Sequence, residues 1–329
     1  MDKFKVLVTS LSFGKTTKKP EDLLKRNKCE LVYKCGPFSD EELARMIRGY
    51  FAIITGEDEV GLQTLTMADE LKVVAKHGTG IDKINIQEAT KKGIIVTRAL
   101  GSNEETVADF VFALILGISR KLVEGSISAK RGLWEGTKYT GIETYKKVLG
   151  VVGLGGIGKK VAKRALGFDM EVLYYDAVRK EDFERNYPIR FVDLETLVQS
   201  SDFVTLHVPL ISSTQNLITY RELRKMKRTA YLINTARGGI VNEDDLYRAL
   251  KEKLLAGAAI DVYSKESPGK DFLLFALPNV LATPHIAGYT IEANKRTGMI
   301  VAEEIIRIAK GESPKFSVNW AEILSSRND

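Results

Sequence analysis

The sequence predicts an α/β protein made of two doubly wound parallel-sheet domains. Three observations lead there. Short apolar, partly β-branched runs alternate with helical stretches along nearly the whole chain. One such run, Val148–Val152, leads directly into Gly153-Leu-Gly-Gly-Ile-Gly158 and then a helix. At 329 residues and 44% hydrophobic content, the chain is long enough to bury two cores.

Each glycine of the turn has a physical task. Gly153 makes the strand-to-helix turn, Gly155 lets a pyrophosphate approach the backbone, and Gly158 lets helix and strand pack closely. The N–H groups and positive dipole end of the following helix then face phosphates. A second strand, Glu171–Tyr175, ends in Asp176, which lies 18 residues beyond Gly158. That spacing suits the carboxylate that holds a ribose diol. A lone glycine motif is weak evidence. Strand, glycines, helix, strand and acid in order specify a dinucleotide site.

Ahead of this unit the strands read Phe4–Val8, Glu30–Tyr33, Phe51–Thr55, Lys72–His77 and Ile94–Thr97. Pro20 opens a helix between the first two. Ser39-Asp-Glu-Glu42 has capping-box spacing and starts a helix over Glu41–Arg48. Ile86–Lys92 is a helix stopped at Gly93. Asn103–Gly125 reads as one long helix, apolar nearly all round, and is expected to be buried between domains or at a subunit contact. Arg131–Gly136 is a polar loop anchored by Trp134.

Beyond Asp176 the strands are Ile189–Val192, Phe203–His207, Tyr231–Asn234, Ala258–Asp261 and Val280–Ala282, with a helix over Asn242–Glu252. Pro284–Thr290 is a turn. The helix Ile291–Ala309 comes too late for the nucleotide sheet and is assigned back to the first domain. The expected division is therefore 1–102 with 290–329, and 103–289. Beyond the last few residues the chain has no disordered tail.

Composition narrows the partners. The net charge of +6 comes from 49 basic residues interleaved with 43 acidic ones, with no basic stripe carrying aromatics. Nucleic acid is not expected, and no apolar run is long enough for a membrane span. Only Cys29 and Cys35 occur, without CxxC or metal-ligand spacing. A disulfide between them stays open from sequence, and a reduced cytoplasmic setting is the better reading.

Three residues stand out as chemically useful. His285, in Thr283-Pro-His-Ile-Ala-Gly288, is the candidate acid/base, because imidazole titrates near neutral pH. Arg237 precedes Gly238-Gly239, and its guanidinium suits a substrate carboxylate. Glu266 follows the strand Ala258–Asp261. Singly, each is as ordinary as a surface charge. Together, all three follow strands of one parallel sheet and converge at its C-terminal edge.

At this point the chain resembles the NAD-dependent D-isomer-specific 2-hydroxyacid dehydrogenases, over nearly its full length. The segments that carry the likeness are Gly153–Gly158, Asn234-Thr-Ala-Arg-Gly-Gly239, Gly257-Ala-Ala-Ile-Asp-Val-Tyr263 and Pro284-His-Ile-Ala-Gly288. The likeness implies a Rossmann-type NAD domain and a flavodoxin-like substrate domain. It implies Arg237, Glu266 and His285 as the catalytic set. Cofactor contacts are implied for Thr79, Gly153, Gly155, Gly156, Ile157, Gly158, Asp176, His207, Val208, Thr235, Ala236, Arg237, Asp261, His285 and Gly288. The substrate carboxylate is implied to meet Arg237 and the backbone of His77, Gly78, Thr79 and Gly80. Family members commonly place Pro directly after the catalytic Glu; here Ser267 intervenes. The implied assembly is a homodimer, and no metal is implied.

The implied reaction is hydride transfer between NAD(H) and a small 2-hydroxy or 2-keto acid. Arg237 orients the carboxylate, His285 protonates the developing alkoxide, and Glu266 favours the imidazolium. The sequence looks closest to the phosphoglycerate dehydrogenase branch, including Val74-Ala-Lys-His-Gly-Thr-Gly-Ile-Asp82. Many of the larger members of that branch carry a C-terminal regulatory domain; none is expected after Trp320. Phosphoglycerate enzymes usually place bases in the loop after the third strand, whereas here it reads Thr55-Gly-Glu-Asp-Glu-Val60. Three carboxylates should repel a substrate phosphate unless Lys76, His77, Arg98 or another subunit's Arg131 supplies charge. A small 2-keto acid is therefore expected, with phosphohydroxypyruvate a secondary candidate, and a hydroxypyruvate or glyoxylate reductase is one alternative. The alternative from another class is an NAD-sensing corepressor-like protein, whose nucleotide domain has the same motifs.

Overall fold

The strands Phe4–Val8 (β1), Cys29–Tyr33 (β2), Ala52–Thr55 (β3), Val73–Lys76 (β4) and Ile95–Arg98 (β5) form a parallel sheet in the order β2-β1-β3-β4-β5. This computed structural model describes residues 3–326. The order is that of a flavodoxin-like doubly wound sheet, with its switch point between β1 and β3. β3 and β4 are buried along their whole length, which is why they read as unbroken apolar runs.

Side-chain alternation along β1 divides the apolar residues between two cores. Val6 and Val8 join Phe13, Leu24, Ala52, Ile54, Val301 and Ile305 on one face. Leu7 joins Leu43, Ile47, Ile53, Leu65 and Val96 on the other. Each fully buried aliphatic side chain contributes about 1.5–3 kcal/mol. The helix Ile291–Ala309 therefore belongs to this core, started by the Thr290 side chain accepting from Ala293 N–H. Asn319 ties the following segment to β5, accepting from Val96 N–H and donating to the carbonyl of Ile94. The chain thus divides into two compact units, one of Met1–Asn103 with Tyr289–Asp329 and the other of Glu104–Gly288.

The second unit has seven parallel strands: Val148–Val152 (β6), Glu171–Tyr175 (β7), Ile189–Phe191 (β8), Phe203–Leu206 (β9), Tyr231–Asn234 (β10), Gly257–Ile260 (β11) and Val280–Ala282 (β12). Their order is β12-β11-β10-β9-β6-β7-β8, so the direction of winding reverses between β6 and β9. That is the Rossmann arrangement, and ligands of such sheets bind beyond the strand C-termini at the reversal.

Three expectations need correction. The stretch Asn103–Gly125 is two helices, Glu104–Ser119 and Leu122–Lys130, with Lys121 between them in the left-handed region at φ 50°. The chain returning at Gly141 and Ile142 causes the break. Ile142 N–H donates to the carbonyl of Ser119 at 3.0 Å, and a Cβ on Gly141 would lie 2.2 Å from that oxygen. The first helix is buried by its own unit: Val107, Val111, Phe112 and Ile115 pack on Leu149, Val161, Ala165 and Ile233. Trp134 is 96% exposed and anchors nothing among the described residues. The helix expected over Glu41–Arg48 covers Asp40–Ala44, although the capping box at Ser39 is present. Two short helices, Leu62–Met67 and Trp320–Ser325, carry no strong periodicity in sequence. No helix among the described residues is long and apolar enough to cross a membrane.

Candidate functional site

The glycine turn after β6 is built as its spacing suggests. Gly153 has φ +95°, and a Cβ there would lie 2.8 Å from the backbone carbon of His207, at the end of neighbouring β9. A Cβ on Gly158 would lie 2.1 Å from the carbonyl of Gly153. Gly155 differs: a Cβ would meet nothing within 4 Å, so protein packing does not require glycine there. An open approach to the backbone at Gly155 is what a pyrophosphate needs. No side chain caps the helix Gly156–Gly167, whose first residues are Gly156 and Ile157. Its N-terminal donors and dipole are thus available to an anion.

Asp176 directly follows β7 and turns back to this loop. Its carboxylate accepts from Leu154 N–H at 2.8 Å and Val178 N–H at 3.1 Å. Lys180 is paired with it at 3.5 Å. Arg179 is engaged elsewhere, bonded to Glu184 at 2.7 Å. On the far side of the turn, Val208 lies against Gly153, where a Cβ would come within 2.9 Å of its side chain. Two enclosed polar atoms at the ends of adjacent β9 and β10, His207 Nδ1 and Thr235 Oγ1, have no hydrogen-bond partner. Such atoms are costly unless something satisfies them, and a dinucleotide at this edge has the groups to do so. Turn, acid and orphaned atoms fit NAD.

β10, β11 and β12 are neighbours, and the three candidate catalytic residues follow them in turn. Arg237 is held from below by Asn234, whose side chain accepts from Ala236 N–H and donates to the carbonyl of Arg237. Gly238 sits so close to the end of the next strand that a Cβ would fall 1.9 Å from the backbone carbon of Tyr263. Glu266 and His285 meet directly, with Nδ1 2.8 Å from Oε1. Both side chains keep about a third of their surface open to water. His285 takes φ 55°, a left-handed conformation uncommon for a residue with a side chain.

Asp261 explains how that conformation is held. It is fully buried, and its carboxylate accepts from Thr283 Oγ1 at 2.6 Å, Ile286 N–H at 2.9 Å and Ala287 N–H at 2.8 Å. Tyr263 adds a hydrogen bond to the carbonyl of Thr283. The backbone on both sides of His285 is therefore fixed. Sequence reasoning assigns no such positioning role to Asn234, Tyr263 or Thr283. Asn at a strand end is the one legible signal, since its side chain readily bonds nearby backbone.

In the first unit, His77 follows β4, with Gly78, Thr79 and Gly80 part-exposed behind it. His77 Nδ1 lies 3.0 Å from both Ser10 Oγ and Ser12 Oγ, while Nε2 has no partner. Burial, with the Lys76 charge adding to it, pushes its pKa down to about 4, so the ring is neutral. Burial pushes His207 down to about 3.

The loop after β3 departs from the charge count. Asp58 is buried and accepts from Thr9 Oγ1, Thr55 Oγ1, Gly56 N–H and Phe38 N–H, at 2.6 to 3.0 Å. It shapes the loop and is not presented to a ligand. Glu57 is paired with Lys76 at 3.0 Å and Lys83 at 3.5 Å. The expected wall of three carboxylates is thus one structural acid, one neutralised acid and exposed Glu59.

Comparison with known proteins agrees with the α/β fold and the NAD domain. Residues 112–287 match the model of the D-isomer specific 2-hydroxyacid dehydrogenase, NAD binding domain. A glyoxylate reductase of Korarchaeum cryptofilum is 43% identical over 266 residues, 80% of each chain. A D-3-phosphoglycerate dehydrogenase of Archaeoglobus fulgidus is 41% identical over 93% of this chain, but the match spans only 58% of that protein's length. The crystal structure of D-lactate dehydrogenase from Aquifex aeolicus, complexed with NAD and lactic acid, superposes with a TM-score of 0.84. It is 27% identical, covering 95% of this chain and 98% of that one.

The two neutral histidines make stability depend on pH. Their folded-state pKa values, about 4 for His77 and about 3 for His207, lie below the ordinary value of 6.5. The unfolded chain therefore binds these protons first, and stability present above pH 6.5 is lost as pH falls toward 4 and then 3. The loss is on the order of 5–10 kcal/mol in total once both rings are protonated. Tm measured from pH 7 to pH 4.5 should fall, and fall less steeply in the His77→Gln/His207→Gln double variant. Parallel curves would remove these residues from the effect.

Proposed function

We propose that this chain, which belongs to the D-isomer specific 2-hydroxyacid dehydrogenase family and is an NAD-dependent 2-hydroxyacid dehydrogenase, reduces a small unphosphorylated 2-keto acid. The observation that carries the chemistry is the Glu266–His285 contact at the edge of the NAD sheet. NADH, when bound, supplies the hydride to C2 of the keto acid. The chain supplies position, charge and the proton.

In this reading the division of labour follows the two units: 104–288 binds NAD, and the unit formed by 1–103 with 289–329 binds substrate. Gly153, Gly155, Gly156, Ile157 and Gly158 cradle the pyrophosphate, and Asp176 accepts the ribose hydroxyls. His207, Val208, Thr235, Ala236 and Gly288 complete the cofactor contacts. In the second unit Arg237 is assigned to fork onto the substrate carboxylate. In the first, the backbone N–H groups of His77, Gly78, Thr79 and Gly80 are assigned to that carboxylate, and Thr79 also to the cofactor. His285 donates its proton to the carbonyl oxygen as the alkoxide develops. Glu266, 2.8 Å from Nδ1, orients the ring and favours its protonated form. Asp261 has no exposed surface, so it acts on the reaction through the loop that it holds.

Glyoxylate and hydroxypyruvate are the preferred candidate substrates. The K. cryptofilum relative, 43% identical, is named for glyoxylate. The loop after β3 offers a phosphate no base of its own. A homodimer fits the exposed apolar side chains of Leu122, Val123, Ile127, Leu133 and Trp134. A reducing, cytoplasmic setting fits the free thiols of Cys29 and Cys35.

The test is NADH oxidation against glyoxylate, hydroxypyruvate, pyruvate and 2-ketoglutarate. His285→Gln should lower kcat on the best substrate by roughly 10²–10⁴, with little change in NADH affinity. Wild-type turnover in that variant would exclude His285 as the acid, and no turnover with any acid would favour an NAD-sensing role.

Cofactor choice gives a second test. NADH should be strongly preferred over NADPH, because the Asp176 carboxylate repels a 2′-phosphate and Arg179 is held by Glu184. Asp176→Ala should narrow the ratio of the two kcat/KM values by roughly tenfold or more. Equal use of both cofactors by the wild type would contradict this.

A further inference from the structure

Lys76 borders the segment to which the substrate carboxylate is assigned. Lys76 is the last residue of β4, immediately before the His77–Gly80 segment. Its stem runs against that segment, since a Cβ on Gly78 would lie 3.4 Å from Lys76 Cε. Only 9% of its side chain is exposed. This cation is already committed, however. Its Nζ donates to the carbonyl of Gly56 and to Glu57 Oε1. Glu57 in turn receives Lys83, from Nζ to its carbonyl at 3.2 Å and to Oε2 at 3.5 Å. Asp58 fixes the turn that aims Glu57 at Lys76, through its four donors from Thr9, Phe38, Thr55 and Gly56.

We infer that Glu57 is a specificity-determining residue, which holds Lys76 away from a second anionic group on the substrate and so disfavours phosphorylated 2-keto acids. The inference rests on the reading that His77–Gly80 binds the substrate carboxylate. A phosphate dianion at Lys76 must displace Glu57 or accept a carboxylate beside it, and both cost binding energy. Neutral His77 adds no compensating charge. Arg98, the register partner of Lys76 on β5, is the next cation along this edge. An uncharged hydroxymethyl or aldehyde group has no stake in the pair. Discrimination therefore comes from a charge that is present but occupied.

The experiment compares kcat/KM for phosphohydroxypyruvate and hydroxypyruvate in the wild type, Glu57→Gln and Glu57→Ala, with NADH as cofactor. The same proteins are assayed for inhibition of hydroxypyruvate reduction by inorganic phosphate. Freeing Lys76 should raise the phosphorylated-to-unphosphorylated ratio roughly fivefold or more and tighten phosphate inhibition. Adding Lys76→Met to Glu57→Gln should remove the gain. Glu59→Gln, which neutralises the exposed neighbouring carboxylate, should leave the ratio unchanged. An unchanged ratio in Glu57 variants that still reduce hydroxypyruvate overturns the inference and leaves the proposed function standing. An equal rise in Glu59→Gln also overturns it, because the effect would then be the loop's general field. A wild-type enzyme that reduces neither of these two acids, nor glyoxylate, pyruvate or 2-ketoglutarate, overturns the function and this inference together.

Discussion

The carboxylate of Asp261 is the constraint on which the reactive edge depends. A buried anion is stable only when donors surround it, and here the donors are Thr283, Ile286 and Ala287, on both sides of His285. Satisfying the charge thus dictates the loop's path, and the path sets His285 in a left-handed conformation with its ring against Glu266. Free energy spent on local strain is recovered in hydrogen bonds a residue away. The geometry of the acid is therefore written into the end of β11, on the same sheet edge as Arg237.

The first unit repeats the device. Asp58, also buried, gathers four donors and fixes the loop after β3, just as Asp261 fixes the loop after β12. In both places an acid invisible to solvent positions a neighbouring side chain: Glu57 toward Lys76 in one unit, His285 toward Glu266 in the other. Parallel sheets leave their chemistry to loops at the strand ends, and loops need such internal anchors to hold a side chain to within a fraction of an ångström.

Much of this is legible in the residues. The strands announce themselves as apolar runs because both faces of each sheet are covered, and the helix Ile291–Ala309 is recognisable from its amphipathic face and the Thr290 cap. Gly153 and Gly158 are readable because backbone geometry admits few alternatives at those positions, and Asp176 because it directly follows the second strand. What sequence does not supply is which polar groups face inward. Asp58 and Glu57 look like solvated acids beside Glu59, yet one is a structural hub and the other an ion-pair partner. Trp134 looks like an anchor and is bare. The break at Lys121 depends on the distant Gly141 and Ile142, and no local pattern records that approach.

The central claim is that Glu266 and His285, set by Asp261, form the proton source for reduction of the keto acid. The most direct measurement is the pH profile of kcat/KM for hydroxypyruvate reduction, in the wild type and in Glu266→Gln. If His285 is the acid, the rate falls on the alkaline side as the ring loses its proton. Removing the carboxylate beside Nδ1 weakens the protonated form, so that limb should move to lower pH. A limb that stays in place when Glu266 is neutralised would contradict the claim.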